Sequence, residues 1–150
     1  MLYINDFEIL SFERTKRQQK SLGKANNLLS TIFLNENHYA LMAANIAKKF
    51  ILTLDSSNKY FKNIRHKRME LFFEMINQMA IKSNSYIGRR EDWNLIDVMD
   101  IPQQGNGDDC GIYTILYAKC LIQEEEFNFT QKDIDYYRKA ILNFIVSNNA

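Results

Sequence analysis

The spacing of apolar residues changes from stretch to stretch along the chain, and each spacing predicts an element. Residues 5–30 are polar and lysine-rich and read as helix and connecting loop. Two dense apolar runs follow, YALMAANIA over 39–47 and FILTL over 50–54, separated by Lys48 and Lys49. Short runs broken by a polar pair predict a hairpin whose strands lie in a largely buried sheet. Over 59–82 the period becomes helical, with Ile64, Leu71, Met75 and Met79 as the predicted inner face and Phe72 and Ile76 beside them. NLIDVMDI, 94–101, predicts another strand, leading into the loop PQQGNGDD, where Gly105 and Gly107 permit backbone angles that other residues avoid. Cys110 then opens a helix, GIYTILYAKCLI, apolar on nearly all sides and so expected to be buried. Thr130, with Asp133 three residues on, predicts the N-cap of a last helix with an inner stripe of Ile134, Tyr137, Ile141 and Ile145. Strands in a row flanked by helix blocks predict an α+β fold.

Composition narrows the classes. A chain of 150 residues, 46% hydrophobic and 13% aromatic, is sized and composed for one folded domain with a real core. Nineteen basic and eighteen acidic residues leave a net charge of +1, which points neither to nucleic acid nor to a membrane surface. No apolar run approaches a bilayer span, and the opening MLYINDFEILSFERTKR lacks the basic-then-apolar pattern of a secretion signal. An intracellular protein is expected. Cys110 and Cys120 lie ten residues apart in one predicted helix, roughly 15 Å at 1.5 Å per residue, too far to bridge. With two histidines and no clustered ligands, neither a metal nor another cofactor is expected.

Candidate chemistry gathers around Cys110. A glycine-containing loop that delivers a cysteine to a helix start sets the thiol against unpaired N–H groups and the positive end of the helix dipole. A thiolate nucleophile also needs a base, a group to orient that base, and donors for the oxyanion. His38 follows the polar loop LNEN at the entry to a buried strand, whereas His66 lies in the charged segment KYFKNIRHKR and reads as a solvated bystander. Asp55 closes the second hairpin strand, where a carboxylate could accept a hydrogen bond from the histidine and fix its tautomer. Gln104, six residues before Cys110, could offer its amide to the oxyanion beside the Cys110 N–H. Each has a plainer reading: a small buried side chain for the cysteine, a structural histidine, a turn aspartate. The basic stretches 13–20 and 62–68 read as solvated helix faces. Glu124–Glu126 read as a helix stop, and Cys120 as core.

The segment IPQQGNGDDCGIY resembles the nucleophile segment of the ubiquitin-like-protein-specific cysteine proteases, the family of the SUMO (sentrin-specific) proteases. Its pattern P-Q-Q-x-N-G-x-D-C-G is matched at Pro102, Gln103, Gln104, Asn106, Gly107, Asp109, Cys110 and Gly111. The family histidine opens a strand as H-W-x-L, here His38-Tyr39-Ala40-Leu41, and its aspartate closes the next as D-S, here Asp55-Ser56. FTQKDIDYYRKAILNFI is similar to the family's final helix. By position, the resemblance implies Cys110 as nucleophile, His38 as base, Asp55 as orienting acid and Gln104 as oxyanion donor. It implies a papain-like core, a small and mostly antiparallel central sheet flanked by helices, with the whole chain 1–150 as one protease domain. The implied substrate is the C-terminal glycine of a SUMO-type ubiquitin-like modifier or its conjugates, in nucleus or cytoplasm, with a monomeric enzyme, no nucleic acid and no membrane.

Two departures from the family pattern stand out. Tyr39 replaces the tryptophan that helps roof the tunnel for the modifier's Gly-Gly tail, and is expected to bind substrate through its flat apolar face. The family's N-terminal W-L-x-D lid element has no match; the single tryptophan is Trp93. Two rival expectations follow. One is an endopeptidase or acyltransferase of the same fold, of viral or bacterial-effector type; the other is a degenerate modifier-binding domain.

Overall fold

A computed structural model describes residues 26–35 and 37–148. Of the segment 5–30 read as helix and connecting loop, residues 5–25 lie outside the described residues. Four strands, β1 (Asn27–Leu34), β2 (His38–Asn45), β3 (Phe50–Leu54) and β4 (Asn94–Val98), form one sheet in that order. The β1–β2 and β2–β3 pairs are antiparallel and β3–β4 is parallel, as a helical crossover between them requires. That crossover is α1 (Lys62–Lys82); α2 (Cys110–Gln123) and α3 (Ile134–Asn148) follow β4. Sheet and helices bear out the α+β, papain-like expectation.

Strand periodicity sorts the core into two layers. Leu41 and Ala43 of β2, with Leu52 and Leu54 of β3, face Tyr113, Leu116, Tyr117 and Leu121 of α2. Met42, Ala44 and Ile51 point the other way, onto Met69, Phe72, Phe73, Ile76 and Ala80 of α1 and onto Trp93. Because both faces are covered, β2 and β3 are apolar almost throughout, which is why they read as continuous runs.

Three expectations need correction. Residues 27–30 belong to a strand, not to a helix-and-loop segment; Ser30 and Thr31 break its apolar pattern, because this edge strand is only half buried. The inner face of α1 is Arg65, Met69, Phe72, Phe73, Ile76 and Ala80. Ile64, Leu71, Met75 and Met79 are 38–46% exposed. A face chosen by apolar residues alone missed that an arginine heads the buried row. The stripe of α3 is also shallower than predicted: Ile134 is buried, Tyr137 and Ile141 are half-buried, and Ile145 is exposed.

Candidate active site

The sheet register brings two chain ends together. Leu41 of β2 pairs with Leu54 of β3, so β2 starts and β3 finishes at the same end of the sheet. There His38 Nε2 and Asp55 Oδ1 lie 2.6 Å apart, both side chains buried. The Ser57 N–H donates to the same oxygen at 2.8 Å. Phe61 stacks on the imidazole, ring centres 5.4 Å apart and planes 22° from parallel. It does so with a left-handed backbone, φ 61°, that a bulky residue adopts only when its surroundings enforce it. With Nε2 committed to the carboxylate, Nδ1 is the nitrogen through which the ring can exchange a proton.

The other oxygen of Asp55 meets a residue that sequence reasoning assigned to solvent. Arg65 is fully buried on α1. Its Nη1 donates to Asp55 Oδ2 at 2.7 Å and to the Tyr60 carbonyl. Nη2 donates to Asp97 Oδ2 at 2.7 Å and to the Asn58 carbonyl at 2.9 Å, and Nε to Asp97 Oδ1 at 2.8 Å. These five bonds use every N–H a guanidinium has, which is the condition under which a buried arginine is tolerable. The stretch 62–68 is therefore not a uniformly solvated face. A signal was present: Arg65 continues the row Met69, Phe72, Ile76 at helical spacing. Burial alone would push the Asp55 carboxyl up, but the His38 hydrogen bond, the Ser57 N–H and the neighbouring His38 and Arg65 charges outweigh it. The carboxyl is held below its ordinary range.

The loop before Cys110 is tied to this same corner. Gln103 Nε2 donates to the Asp55 carbonyl at 3.2 Å, and Gln103 Oε1 accepts the Asn58 N–H at 3.0 Å. Gln104 N–H donates to the Ser56 carbonyl at 2.9 Å. The Ser56 hydroxyl donates to Gln104 Oε1 at 2.6 Å, and Gln104 Nε2 donates to the Asn106 carbonyl. Beneath the loop, Tyr113 and Tyr117 of α2 donate to the carbonyls of Gln103 and Pro102. Cys110 is the first residue of α2, 5% exposed, with Asp109 at the N-cap. Neither Gly105 nor Gly107 uses a left-handed backbone; among the described glycines only Gly88 does, at φ 91°. The Gly105 N–H donates to Gln131 Oε1 at 2.6 Å.

Asp109, given no individual role by sequence reasoning, anchors the loop from behind. Its buried carboxylate accepts from Asn106 Nδ2 at 2.7 Å, from Gln131 Nε2 at 2.6 Å and from Arg138. Burial pushes this carboxyl up too, and the Gln131, Asn106 and Arg138 hydrogen bonds outweigh it and hold it low. Thr130 and Asp133 form the expected cap, Thr130 N–H and hydroxyl both donating to Asp133 Oδ2. Tyr39 stands next to His38 with 45% of its surface exposed. Its ring centre is 4.8 Å from that of Phe33, directly opposite on β1 and 41% exposed.

His66 is exposed, 3.6 Å from Glu70. Cys120 is buried in the core, where burial pushes its thiol up. Glu124 ends α2 in a left-handed conformation, φ 54°. The stretch 13–20 lies outside the described residues. Among the described residues no group of three or more His, Cys, Asp or Glu side chains could hold a metal ion. Nor is any of their helices long and apolar enough to cross a membrane.

Comparison with known proteins gives this corner its context. The chain is 32% identical over 123 residues to mouse Sentrin-specific protease 5, covering 80% of this chain and 15% of that protein. It is 29% identical over 132 residues to Ubiquitin-like-specific protease 1 of Saccharomyces cerevisiae, covering 88% and 20%. It thus spans a fifth or less of these curated relatives. Among solved structures, the C-terminal Ulp1 protease domain in complex with Smt3, the yeast ortholog of SUMO, superposes with a TM-score of 0.75 at 27% identity. That match covers 87% of this chain and 57% of that one. The Ulp1 protease family, C-terminal catalytic domain, matches residues 9–144, nearly the whole sequence, and the chain belongs to that family.

Proposed function

We propose that this chain is a thiol protease, a single catalytic domain that cleaves after the C-terminal glycine of a SUMO-type ubiquitin-like modifier. Cys110 is the nucleophile, His38 the base, Asp55 the acid that orients it, and Gln104 an oxyanion donor. The observation that carries this reading is the buried His38–Asp55 hydrogen bond, joined through Gln103, Gln104 and Ser56 to the loop that ends at Cys110.

The chemistry follows from which atoms are occupied. Asp55 holds Nε2–H, so Nδ1 takes the Cys110 proton and the imidazolium beside Asp55 is stabilised. The thiolate attacks the glycine carbonyl. The resulting oxyanion meets the Cys110 N–H at the start of α2 and the Gln104 amide, whose carbonyl end is turned to Ser56 and whose second N–H is still available. His38 returns its proton to the departing lysine amine, and water then hydrolyses the thioester. Tyr39, exposed beside His38, supplies a flat surface against which an extended Gly-Gly tail can lie. The partner is the modifier and its conjugates, and the reading carries the intracellular location expected from sequence.

The test uses a SUMO-type modifier bearing a thiol-reactive group at its C-terminus, with other ubiquitin-like modifiers beside it. The expected result is a covalent adduct that maps to Cys110, is selective for the SUMO type, and disappears in Cys110→Ser. Binding without an adduct would point to a degenerate binding domain. Cleavage of plain peptides with no response to any modifier would point to the endopeptidase.

A further inference from the structure

We propose that Arg65 is a positioning residue of the catalytic machinery: it fixes the Asp55 carboxylate in the rotation that presents Oδ1 to His38, and Asp97 extends that hold to the protein surface. The inference rests on the functional reading above and adds to it a residue that touches no reacting atom.

Three observations carry it. First, the two oxygens of Asp55 are divided between partners, Oδ1 to His38 Nε2 and Oδ2 to Arg65 Nη1, at 2.6 and 2.7 Å. A carboxylate held by only one oxygen can swing about its terminal torsion, which is broad and two-fold; one held at both oxygens cannot. Second, Arg65 is itself immobile. It reaches acceptors on three separate pieces of chain: the end of β3 at Asp55, the following loop at Asn58 and Tyr60, and Asp97 on β4. Third, the Tyr60 bond bears on Phe61, the next residue, whose ring covers the imidazole. One guanidinium therefore fixes both the carboxylate that holds the histidine and the backbone that delivers the ring stacked on it.

The chemical consequence is a charge line, His38–Asp55–Arg65–Asp97. Its first three side chains are at most 7% exposed and that of Asp97 is 19% exposed. A lysine at position 65 keeps the charge but gathers its three donors on one nitrogen instead of spreading five over a planar fork. It can serve Asp55 or Asp97 well, not both. Asn at position 97 keeps one acceptor for the fork and loses the second.

A readout that needs no modifier separates this inference from the protease reading. The rate at which iodoacetamide alkylates Cys110 near neutral pH would be followed by peptide mass, with Cys110→Ser as the blank. Alongside it, the His38 Nε2–H proton would be observed by NMR, and urea midpoints would report folding. Parent protein should alkylate faster than a free cysteine and show a protected, downfield Nε2–H signal. Arg65→Lys should fold yet react about tenfold more slowly, because a loosened imidazole accepts the Cys110 proton less well, with the Nε2–H signal lost to exchange. Asp97→Asn should shift both readouts the same way by less. A folded Arg65→Lys protein with parental alkylation and an unchanged signal would overturn the inference alone and leave Arg65 a purely structural anchor. A parent whose Cys110 reacts no faster than free cysteine, with no protected Nε2–H, would bring down the protease reading and the inference with it.

Discussion

Two buried carboxylates flank the site, and they are held in opposite ways. Asp55 is enclosed by β3, α1 and β4, and its cation, Arg65, has no exposed surface. Asp109 sits at the start of α2. Its partners come from its own loop at Asn106, from the turn before α3 and from α3 itself, and the cation, Arg138, has 49% of its side chain in solvent. The first is a fixed part of the interior. The second is a clasp at the surface, closed by a helix of which Ile134 is the one fully buried residue. The His38–Asp55 pair is thus held wholly from within, while the loop before Cys110, tied to the same interior by Gln103 and Gln104, is also held from behind by a cation that solvent can reach.

Asp55→Asn should have the largest effect on turnover of a SUMO-type substrate. An amide either donates to the histidine or holds it in the wrong tautomer. By analogy with the corresponding change in serine proteases, kcat should fall by up to roughly 10⁴. Asp109→Asn, which keeps the shape and leaves the tautomer alone, should cost about 10² or less, through misplacement of Cys110. Equal losses in the two variants would erase the distinction between acid and clasp. Stability should divide the same way. Removing Arg65 as Arg65→Met strands the Asp55 carboxylate in the interior and should cost about 3–5 kcal/mol in urea unfolding. Arg138→Met should cost about 1 kcal/mol or less, and that small cost should shrink between low and high salt while the Arg65 cost stays.

The same contrast explains what could be read in the sequence. Cys110, Gln104 and Asp109 sit in one contiguous loop, where a motif can display them together. His38 and Asp55 were legible because each marks the boundary of an apolar run, and boundaries of paired strands meet. Arg65 was not. Its role depends on Asp97, thirty-two residues on and brought alongside by the parallel β3–β4 pairing, which no local pattern announces. A charged residue inside KNIRHKR looks like its solvated neighbours unless its place in the row with Met69, Phe72 and Ile76 is counted. The first strand was hidden for a different reason: in β1, the end strand of the sheet among the described residues, Phe33 is apolar yet exposed and Ser30 is polar yet half-buried, so the sequence has no alternation to show. For α3 the periodicity was real, but its reach into the core was overestimated, because most of its apolar residues are exposed.

The smallest effect concerns acid, and it tests what holds Asp109 in place. Both Asp55 and Asp109 are held below the ordinary carboxyl range. The unfolded chain therefore takes up their protons first, near its usual value of about 3.9. Their contribution to stability is full above that pH and is lost as pH falls through the lower, folded values. In urea midpoints measured from pH 5 downward, Asp109→Asn should show a shallower decline than the parent, since it has no proton to take up at that site. Arg138→Met should keep much of the parent's decline, because the Gln131 and Asn106 hydrogen bonds that help hold that carboxyl low remain in place. If Arg138→Met instead flattens the curve as much as Asp109→Asn, the half-exposed cation governs the clasp. The amide bonds to Gln131 and Asn106 would then be secondary, and the loop would be tied to α3 by charge.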